Sequence, residues 1–345
     1  MTRTLGPIRS AVLFLLLLFA LSTVPQTLHA VAGQHWFAFV GAQSHDKGHQ
    51  ALAFLPNEIW IHAGDSITWR FDVDEIHTVT FLKAGQVRPP FPNGCTLPPD
   101  PPLFSTTPAV FDGSTCMSTP PLVKDDTFTV EFPTADNFKL VCLVHADMTA
   151  VVHVLPPAEK LPHDQHFYDA QARDQAEDLL SDTDRDDDHR FHKWHGDHGD
   201  HSGHHAVTAG VGEVSATPGG TSTLSVMRFS DSRIVIHAGD TVEFANNDPA
   251  TPHTITFGKE PMDPMPPVNF TVDPDGARHA IINSKSDNAH SGFIVAAPQD
   301  RPFLPQSPPG VTRYRVTFPH AGVFPYICAL HDDLGMKGVV IVLPH

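Results

Sequence analysis

The chain has 345 residues, which predicts two domains at the usual size of about 100 to 200 residues each. Its 39 acidic and 22 basic side chains give a net charge of -17, which argues against nucleic acid or an anionic membrane as a partner, because both attract basic surfaces. Four cysteines are too few for a disulfide-stapled scaffold, and 33 prolines with 23 glycines argue against long helical bundles. The 24 histidines favour a metal as partner, since histidine is the commonest metal ligand.

Residues 1–32 have the pattern of an export signal. Arg3 and Arg9 precede an apolar run from Ala11 to Leu21, and Ala30-Val-Ala32 is a small-x-small cleavage site. The alternative is an uncleaved membrane anchor, but the run is well short of the roughly 20 residues that span a bilayer. We expect cleavage after Ala32, a periplasmic or extracellular location, and no membrane span in the mature chain.

Two parts of the chain repeat each other in the same order. Ile59-Trp-Ile-His-Ala-Gly-Asp65 returns as Ile234-Val-Ile-His-Ala-Gly-Asp240, and Ile76-His-Thr-Val-Thr-Phe81 returns as Pro252-His-Thr-Ile-Thr-Phe257. Within the repeats, β-branched and aromatic residues alternate with polar ones, as in Phe128-Thr-Val-Glu-Phe132, which is typical of strands. The repeats therefore predict an all-β protein of two antiparallel sandwiches, at residues 33–156 and 207–345.

The segment between the repeats, residues 157–206, changes abruptly in composition. It is rich in Asp, Glu and His and poor in β-branched residues, so it cannot bury enough apolar area to offset its ordering entropy. We predict a disordered, flexible linker in which Ala170 to Leu180 forms at most a short helix. The two sandwiches are then expected to move independently.

Histidines recur at every third position of this linker, at His189, His192, His195, His198, His201 and His204. One interpretation is weak, fast binding of Cu²⁺, Zn²⁺ or Ni²⁺, which would concentrate or deliver copper. The other is a solvated spacer whose histidines have no role. Composition alone does not decide between these interpretations.

Each repeat carries the same ordered set of metal-binding residue types. One His lies on an early strand, and a Cys, a His and a Met follow near the last turn; the sets are His77, Cys142, His145, Met148 and His253, Cys328, His331, Met336. A thiolate, two imidazoles and a weak thioether form the type 1, or blue, copper site, because soft sulfur suits Cu(I) and imidazole suits Cu(II). A lone Cys or His is usually structural. Two complete sets in one order predict two copper sites.

The spacing of these residues resembles that of the cupredoxins, the plastocyanin and amicyanin class of type 1 copper proteins, over nearly all of both repeats. Cys142-Leu-Val-His145-Ala-Asp-Met148 has the Cys-x2-His-x2-Met spacing of amicyanin. Cys328-Ala-Leu-His331-Asp-Asp-Leu-Gly-Met336 has the Cys-x2-His-x4-Met spacing of plastocyanin. The resemblance implies two Greek-key sandwiches, each with one type 1 copper.

The resemblance also implies roles for single residues. His77 and His253 are the buried first ligands, and His145 and His331 are the more exposed ligands through which family members exchange electrons with redox partner proteins. Many family members have Asn after the first His, where it braces the Cys loop. Here that position is Thr, at Thr78 and Thr254, and a Thr hydroxyl is expected to brace the loop more weakly.

The other two cysteines, Cys95 and Cys116, lie in a long Pro- and Gly-rich loop of the first repeat. In an exported chain we expect them to form a disulfide, which contributes about 3 kcal/mol in the chain-entropy model. The alternative is a pair of free thiols.

Copper nitrite reductases and multicopper oxidases also join cupredoxin domains, so an enzyme must be considered. Their second copper centres use a His beside the Cys ligand, where Val141 and Ile327 stand here, and His-x-His motifs, which neither repeat contains. His192-Lys-Trp-His195 looks a little like an oxidase motif, but it lies in the linker.

We therefore predict an electron carrier rather than an enzyme. The alternatives are a copper sequestration or delivery protein that uses the linker histidines, and an interaction module in which one copper site has decayed.

Overall fold

The computed structural model describes residues 33–89, 95, 107–181, 204–296 and 312–345. Within these ranges the regular secondary structure is nearly all β-strand, as predicted, with one α-helix, α1 (Gln165–Ser181). No described helix has the length and apolar character that crossing a membrane requires. The predicted export signal at 1–32 lies outside the described residues.

The described part of the first repeat forms ten strands. They are β1 (His35–Gln43), β2 (His49–Leu55), β3 (Glu58–His62), β4 (Ser66–Phe71), β5 (Thr80–Leu82), β6 (Ala109–Val110), β7 (Met117–Ser118), β8 (Thr127–Glu131), β9 (Asp136–Val141) and β10 (Thr149–Leu155). One sheet has the order β3-β10-β9-β5-β7, and β2-β1-β4-β8-β6 lie in another. Trp69 of β4 and Phe81 of β5 meet in the core between the two sheets. Cys116, just before β7, forms the predicted disulfide with Cys95.

The second repeat has the same arrangement. Its described strands are β11 (His204–Thr217), β12 (Gly220–Phe229), β13 (Arg233–His237), β14 (Thr241–Asn247), β15 (Thr256–Phe257), β16 (Thr271–Val272), β17 (Arg278–Ile281), β18 (Ala289–His290), β19 (Arg313–Thr317), β20 (Gly322–Ile327) and β21 (Lys337–Leu343). β11 runs parallel to β14 and antiparallel to β12, as β1 does with β4 and β2. The second sandwich therefore repeats the first in structure as well as in sequence.

The two sandwiches are joined edge to edge. β12 pairs antiparallel with β2, with Thr223 opposite Leu52, so the larger sheets of the two repeats form one 11-stranded sheet. Pairing satisfies the backbone N–H and C=O groups that two open sheet edges would expose. Three side chains of the second repeat also pack into the core of the first, namely Met227, Ala250 and Leu334. The expectation that the sandwiches move independently is therefore wrong.

Helix α1 corrects part of the linker prediction. It begins before the expected Ala170, and Asp164 caps it by accepting a hydrogen bond from Phe167 N at 3.0 Å. Its apolar face is a narrow row that meets β1 and β2, formed by Tyr168, Ala172, Ala176 and Leu179. These residues recur every three or four positions, and the small Ala side chains allow close approach to the sheet. A narrow apolar row is thus enough to order this part of residues 157–206.

Candidate metal centres

The structure brings together the Cys and both His of each predicted ligand set. The ring nitrogens and sulfur of each set lie within 4.8 Å of one another, in a first site of His77, Cys142 and His145 and a second site of His253, Cys328 and His331. None of these six side chains is more than 3% exposed. In the described part of the chain, these are the two clusters with enough His, Cys or carboxylate groups to hold a metal ion.

The ligand atoms of the first site converge through Nδ1 and sulfur. His145 Nδ1 lies 3.1 Å from His77 Nδ1 and 3.7 Å from Cys142 Sγ. Lone-pair donors this close repel one another unless a proton or a cation lies among them. A thiolate with two imidazoles is a donor set that fits copper.

The second site repeats this convergence. His331 Nδ1 lies 3.1 Å from His253 Nδ1 and 3.3 Å from Cys328 Sγ. The two sites therefore present the same three donor atoms in nearly the same arrangement.

Each site is built on the hairpin that joins the last two strands of its repeat. Cys142 directly follows β9 and Met148 directly precedes β10, and Cys142 N donates a hydrogen bond to Met148 O at 3.0 Å. In the second repeat Cys328 follows β20, Met336 precedes β21, and the same hydrogen bond measures 3.1 Å. Both Met side chains are fully buried. The hairpin thus holds Cys, His and Met at one end of each sandwich.

The surroundings of both cysteines favour the thiolate. Burial by itself raises the pKa of the Cys142 thiol, but His145 and His77 beside it bring that pKa well below its ordinary value. Burial likewise opposes ionisation of Cys328, and its two neighbouring histidines lower its pKa in the same way. The thiolate is the form of cysteine that binds metals.

Thr78 and Thr254 brace the Cys loops. Thr78 Oγ1 accepts a hydrogen bond from Leu143 N at 2.7 Å, and Thr78 N donates to Cys142 Sγ at 3.4 Å. Thr254 makes the two equivalent contacts at 2.7 and 3.3 Å. In each repeat the threonine hydroxyl therefore holds the Cys loop. This threonine occupies the position at which cupredoxins often have Asn.

Replacing Thr78 by Val should weaken this brace, because Val has a similar shape but accepts no hydrogen bond. The buried N–H of Leu143 would then lack a partner, which costs about 1–3 kcal/mol. We expect a loss of this size in the free energy of unfolding of the copper-free protein, measured with urea. Thr78→Ser keeps the hydroxyl and is the control. Equal losses in the two variants would show that the hydroxyl is not the brace.

In each repeat one glycine, not predicted from the sequence to belong to the site, lies against the first His. Gly41 of β1 and Gly210 of β11 have φ of 74° and 75°, and the strand register shifts at both positions. A Cβ at Gly210 would overlap the imidazole of His253, and a Cβ at Gly41 would lie 3.0 Å from His77 Nε2. These bulges let the backbone approach the rings closely. An isolated Gly within a strand pattern was the available sequence signal.

The first histidines differ in what their outer nitrogens contact. Both nitrogens are buried without a hydrogen-bond partner, but His253 Nε2 lies within ion-pair distance of a carboxylate, 3.5 Å from Asp248 Oδ2. Burial lowers the pKa of His77; at His253 the same effect is outweighed by Asp248 and Cys328, which raise its pKa to about 9. A carboxylate on the far nitrogen makes an imidazole a stronger donor to a metal. The two sites are therefore similar but not equivalent.

The outer histidines depart from the expectation drawn from the resemblance. His145 is 0% exposed and His331 is 3% exposed, although the resemblance implied that they are the more exposed ligands. Both line a cleft of about 690 Å³ whose walls come from the two repeats, including Ile76 and Leu330. The expected exposure is wrong because each sandwich covers the ligand end of the other.

Glu75 lies between the outer histidines. Its Oε1 is 3.3 Å from His145 Nε2 and its Oε2 is 3.6 Å from His331 Nε2. Burial raises the pKa of this carboxyl, but the two neighbouring histidines more than offset burial and bring the pKa to about 2. Glu75 could not be predicted from the sequence, because its second contact exists only where the two repeats meet.

Most of the histidines in the proposed linker metal sites fall outside the described residues: His189, His192, His195, His198 and His201. The last one, His204, begins β11 and so belongs to the second sandwich. Weak metal binding by this tract stays a prediction.

The second repeat matches a family of known proteins. Residues 217–343 match the model of the copper binding proteins of the plastocyanin/azurin family. A search of curated proteins found no match.

Several solved structures are similar to the chain. The oxidised plastocyanin of Dryopteris crassirhizoma is 19% identical and covers 40% of this chain and 99% of its own, with a TM-score of 0.21. The reduced auracyanin of Roseiflexus castenholzii is 19% identical over 41% of this chain and 98% of its own, with a TM-score of 0.22. A copper nitrite reductase of Nitrosomonas europaea is 10% identical over 90% of this chain and 93% of its own, with a TM-score of 0.21. With the family match in the second repeat and the same fold and donor set in the first, the chain is a cupredoxin-like protein.

Proposed function

We propose that this chain is an exported electron-transfer protein with one type 1 copper in each domain. The observation that carries the proposal is the buried, convergent set of one thiolate and two imidazoles, present twice. Copper held by such a set exchanges single electrons between Cu(I) and Cu(II). The ligands would be His77, Cys142 and His145, then His253, Cys328 and His331, with Met148 and Met336 as weak axial ligands.

The protein would hold the copper ligands in place in both oxidation states of the metal. In the first site, Cys142 and Met148 are tied to each other at the ends of one short hairpin, and Thr78 fixes the backbone after the Cys. Burial of all three strong donors keeps water away from the metal. A site that rearranges little when its charge changes has a small reorganisation barrier, which favours electron transfer.

Electron donors and acceptors would reach these sites through the cleft between the domains. The cleft is bordered by apolar side chains such as Val144 and by charged ones such as Lys124 and Asp333. Since His145 and His331 both line it, one partner seated there would be close to both sites. The partners are proposed to be redox proteins.

An enzymatic role is less well supported. The residues beside the Cys ligands are Val141 and Ile327, and neither side chain binds metal. A reductase or oxidase needs a second copper with an exchangeable position for substrate.

The competing function is copper sequestration or delivery, and copper retention during redox cycling distinguishes the two. The copper-loaded protein is reduced and reoxidised repeatedly in the presence of a Cu(I) chelator. A carrier is expected to lose and regain its visible absorption fully while keeping two coppers per chain. Loss of copper to the chelator upon reduction would favour delivery instead.

A control variant replaces the five linker histidines from His189 to His201 by Ala. For a carrier, this variant should cycle like the wild type, since the linker tract takes no part. Binding of more than two coppers per chain by the wild type, with a fall to two in this variant, would support the sequestration function.

A further inference from the structure

We propose that Glu75 joins the two copper sites into one redox unit, so that an electron received by either site is shared between them. The inference rests on the proposed function, because it requires a redox metal in both sites. Glu75 is not a ligand and belongs to neither Cys loop; it lies between β4 and β5 of the first domain.

Side chains in close contact lead from one site to the other. In each outer His, Nδ1 faces the ligand set and Nε2 faces away from it, toward Glu75. Each carboxylate oxygen lies within ion-pair distance of one imidazole, at 3.3 Å for His145 and 3.6 Å for His331. Electron transfer weakens much more across empty space than along bonds. Three side chains separated by two short gaps therefore form a direct connection between the sites.

The burial of Glu75 indicates that this contact is specific. Glu75 is only 4% exposed, and a buried carboxylate is costly unless it is paired with positive groups or hydrogen-bond donors. The corresponding residue of the second repeat, two positions before His253, is the neutral Thr251. A single carboxylate thus serves both sites, and no second carboxylate occupies the equivalent position to repel it.

Two arginines hold the loops that carry the outer histidines, Arg88 within the first domain and Arg228 across the domain contact. Arg88 donates hydrogen bonds to His145 O at 3.0 Å and to Ala146 O at 2.9 Å. Arg228 of β12 donates to Leu334 O in the second Cys loop at 2.7 Å and to Asp46 O of the first domain at 2.8 Å. Together with the β2–β12 pairing, these contacts fix the distance between the two imidazoles and Glu75.

Exchange of an electron between the two sites requires no further oxidant or reductant. In a half-reduced molecule, one site is oxidised by one electron and the other is reduced by one electron. No bond forms or breaks, and no proton needs to move. Because Asp248 strengthens donation by His253, the oxidised state is favoured in the second site and the electron is expected to reside mainly in the first.

The test compares the wild type with Glu75→Gln. Glutamine has nearly the same size, but it is neutral and has one oxygen and an NH₂ donor, so it can place an oxygen beside only one of the two imidazoles. Partially oxidised, copper-loaded protein is followed by NMR through the backbone amides of Thr78 and Thr254, which report on their own sites. Electron exchange within one molecule broadens both signals at a rate that does not change on dilution.

We expect this dilution-independent exchange in the wild type and its loss in Glu75→Gln, while both visible absorption bands remain. Glu75→Asp, which keeps the charge but is too short to reach both histidines, should also lose it. The matched control is Asp74→Asn, since Asp74 lines the same cleft but pairs with Lys47. In the copper-free protein, ¹⁵N signals of the His145 and His331 side chains should change in Glu75→Gln and not in Asp74→Asn.

Unchanged exchange in Glu75→Gln would overturn the inference and leave the proposed function standing. Equal loss in Asp74→Asn would also overturn it, because the effect would then follow the charge of the cleft rather than the contact. Absence of both absorption bands from the wild type would overturn the proposed function, and the inference with it.

Discussion

Replacing Cys142 by Ser is expected to remove half of the visible absorption of the copper-loaded protein and leave the other half intact. Intense colour in a type 1 site arises from charge transfer between the Cys thiolate and copper. The serine hydroxyl does not ionise near neutral pH and so cannot replace the thiolate. All donors of the second site come from His253, Cys328, His331 and Met336, so that site keeps its complete set.

The measurement is the absorption spectrum together with the copper content per chain. Cys328→Ser is the matched control and should remove the complementary half. The double variant should be colourless. If Cys142→Ser alone removed all of the colour, or none of it, the two sites would not be the separate centres that we propose.

The ligand sets could be predicted from sequence because they depend on local spacing. Cys142, His145 and Met148 fall within one hairpin, and a hairpin brings residues that are close in sequence close in space. His77 is distant in sequence, but the repeat places its equivalent, His253, at the same position before a second such hairpin. Strand alternation predicted the sandwiches for the same reason, since it reports which face of each strand is buried.

The features that the sequence did not predict all depend on contacts between distant parts of the chain. The edge strands β2 and β12 carry no signal that they pair with each other, since either would form a normal outer strand in a single sandwich. Burial of His145 and the second contact of Glu75 both follow from that pairing. The position of the contact between the domains decides which residues connect the two sites. The sequence of one repeat alone does not contain this information.

Helix α1 shows that amino-acid composition is a limited guide to whether a segment folds. Its acidic and polar residues point to disorder, and only a narrow row of side chains from Tyr168 to Leu179 is apolar. The row is sufficient because it meets an apolar surface of the sheet, at Ala53 and Leu55. The surface that a segment packs against decides whether it folds, and the segment's own composition does not reveal that surface.

Truncating Tyr168 to Ala is expected to destabilise the first domain by about 3–5 kcal/mol, the usual cost of removing a large buried aromatic ring. Tyr168 is fully buried, and its ring lies 5.7 Å from that of Trp36 in an edge-on contact. Its hydroxyl accepts a hydrogen bond from Trp60 N at 3.0 Å and donates to Trp60 O at 3.3 Å. Burial raises the pKa of this hydroxyl to about 12, so it remains a neutral donor at ordinary pH. One side chain thus ties α1 to strands of both sheets.

Urea unfolding monitored by far-ultraviolet circular dichroism measures this loss. Tyr168→Phe keeps the ring and removes only the hydroxyl, so it should cost about 1–3 kcal/mol through the unpaired backbone groups of Trp60. The neighbouring Phe167 is 41% exposed, and Phe167→Ala should change stability by about 0.5 kcal/mol or less. If Tyr168→Ala cost no more than Phe167→Ala, the helix would not be part of the folded first domain, and residues 157–206 would behave as the flexible linker that their composition predicts.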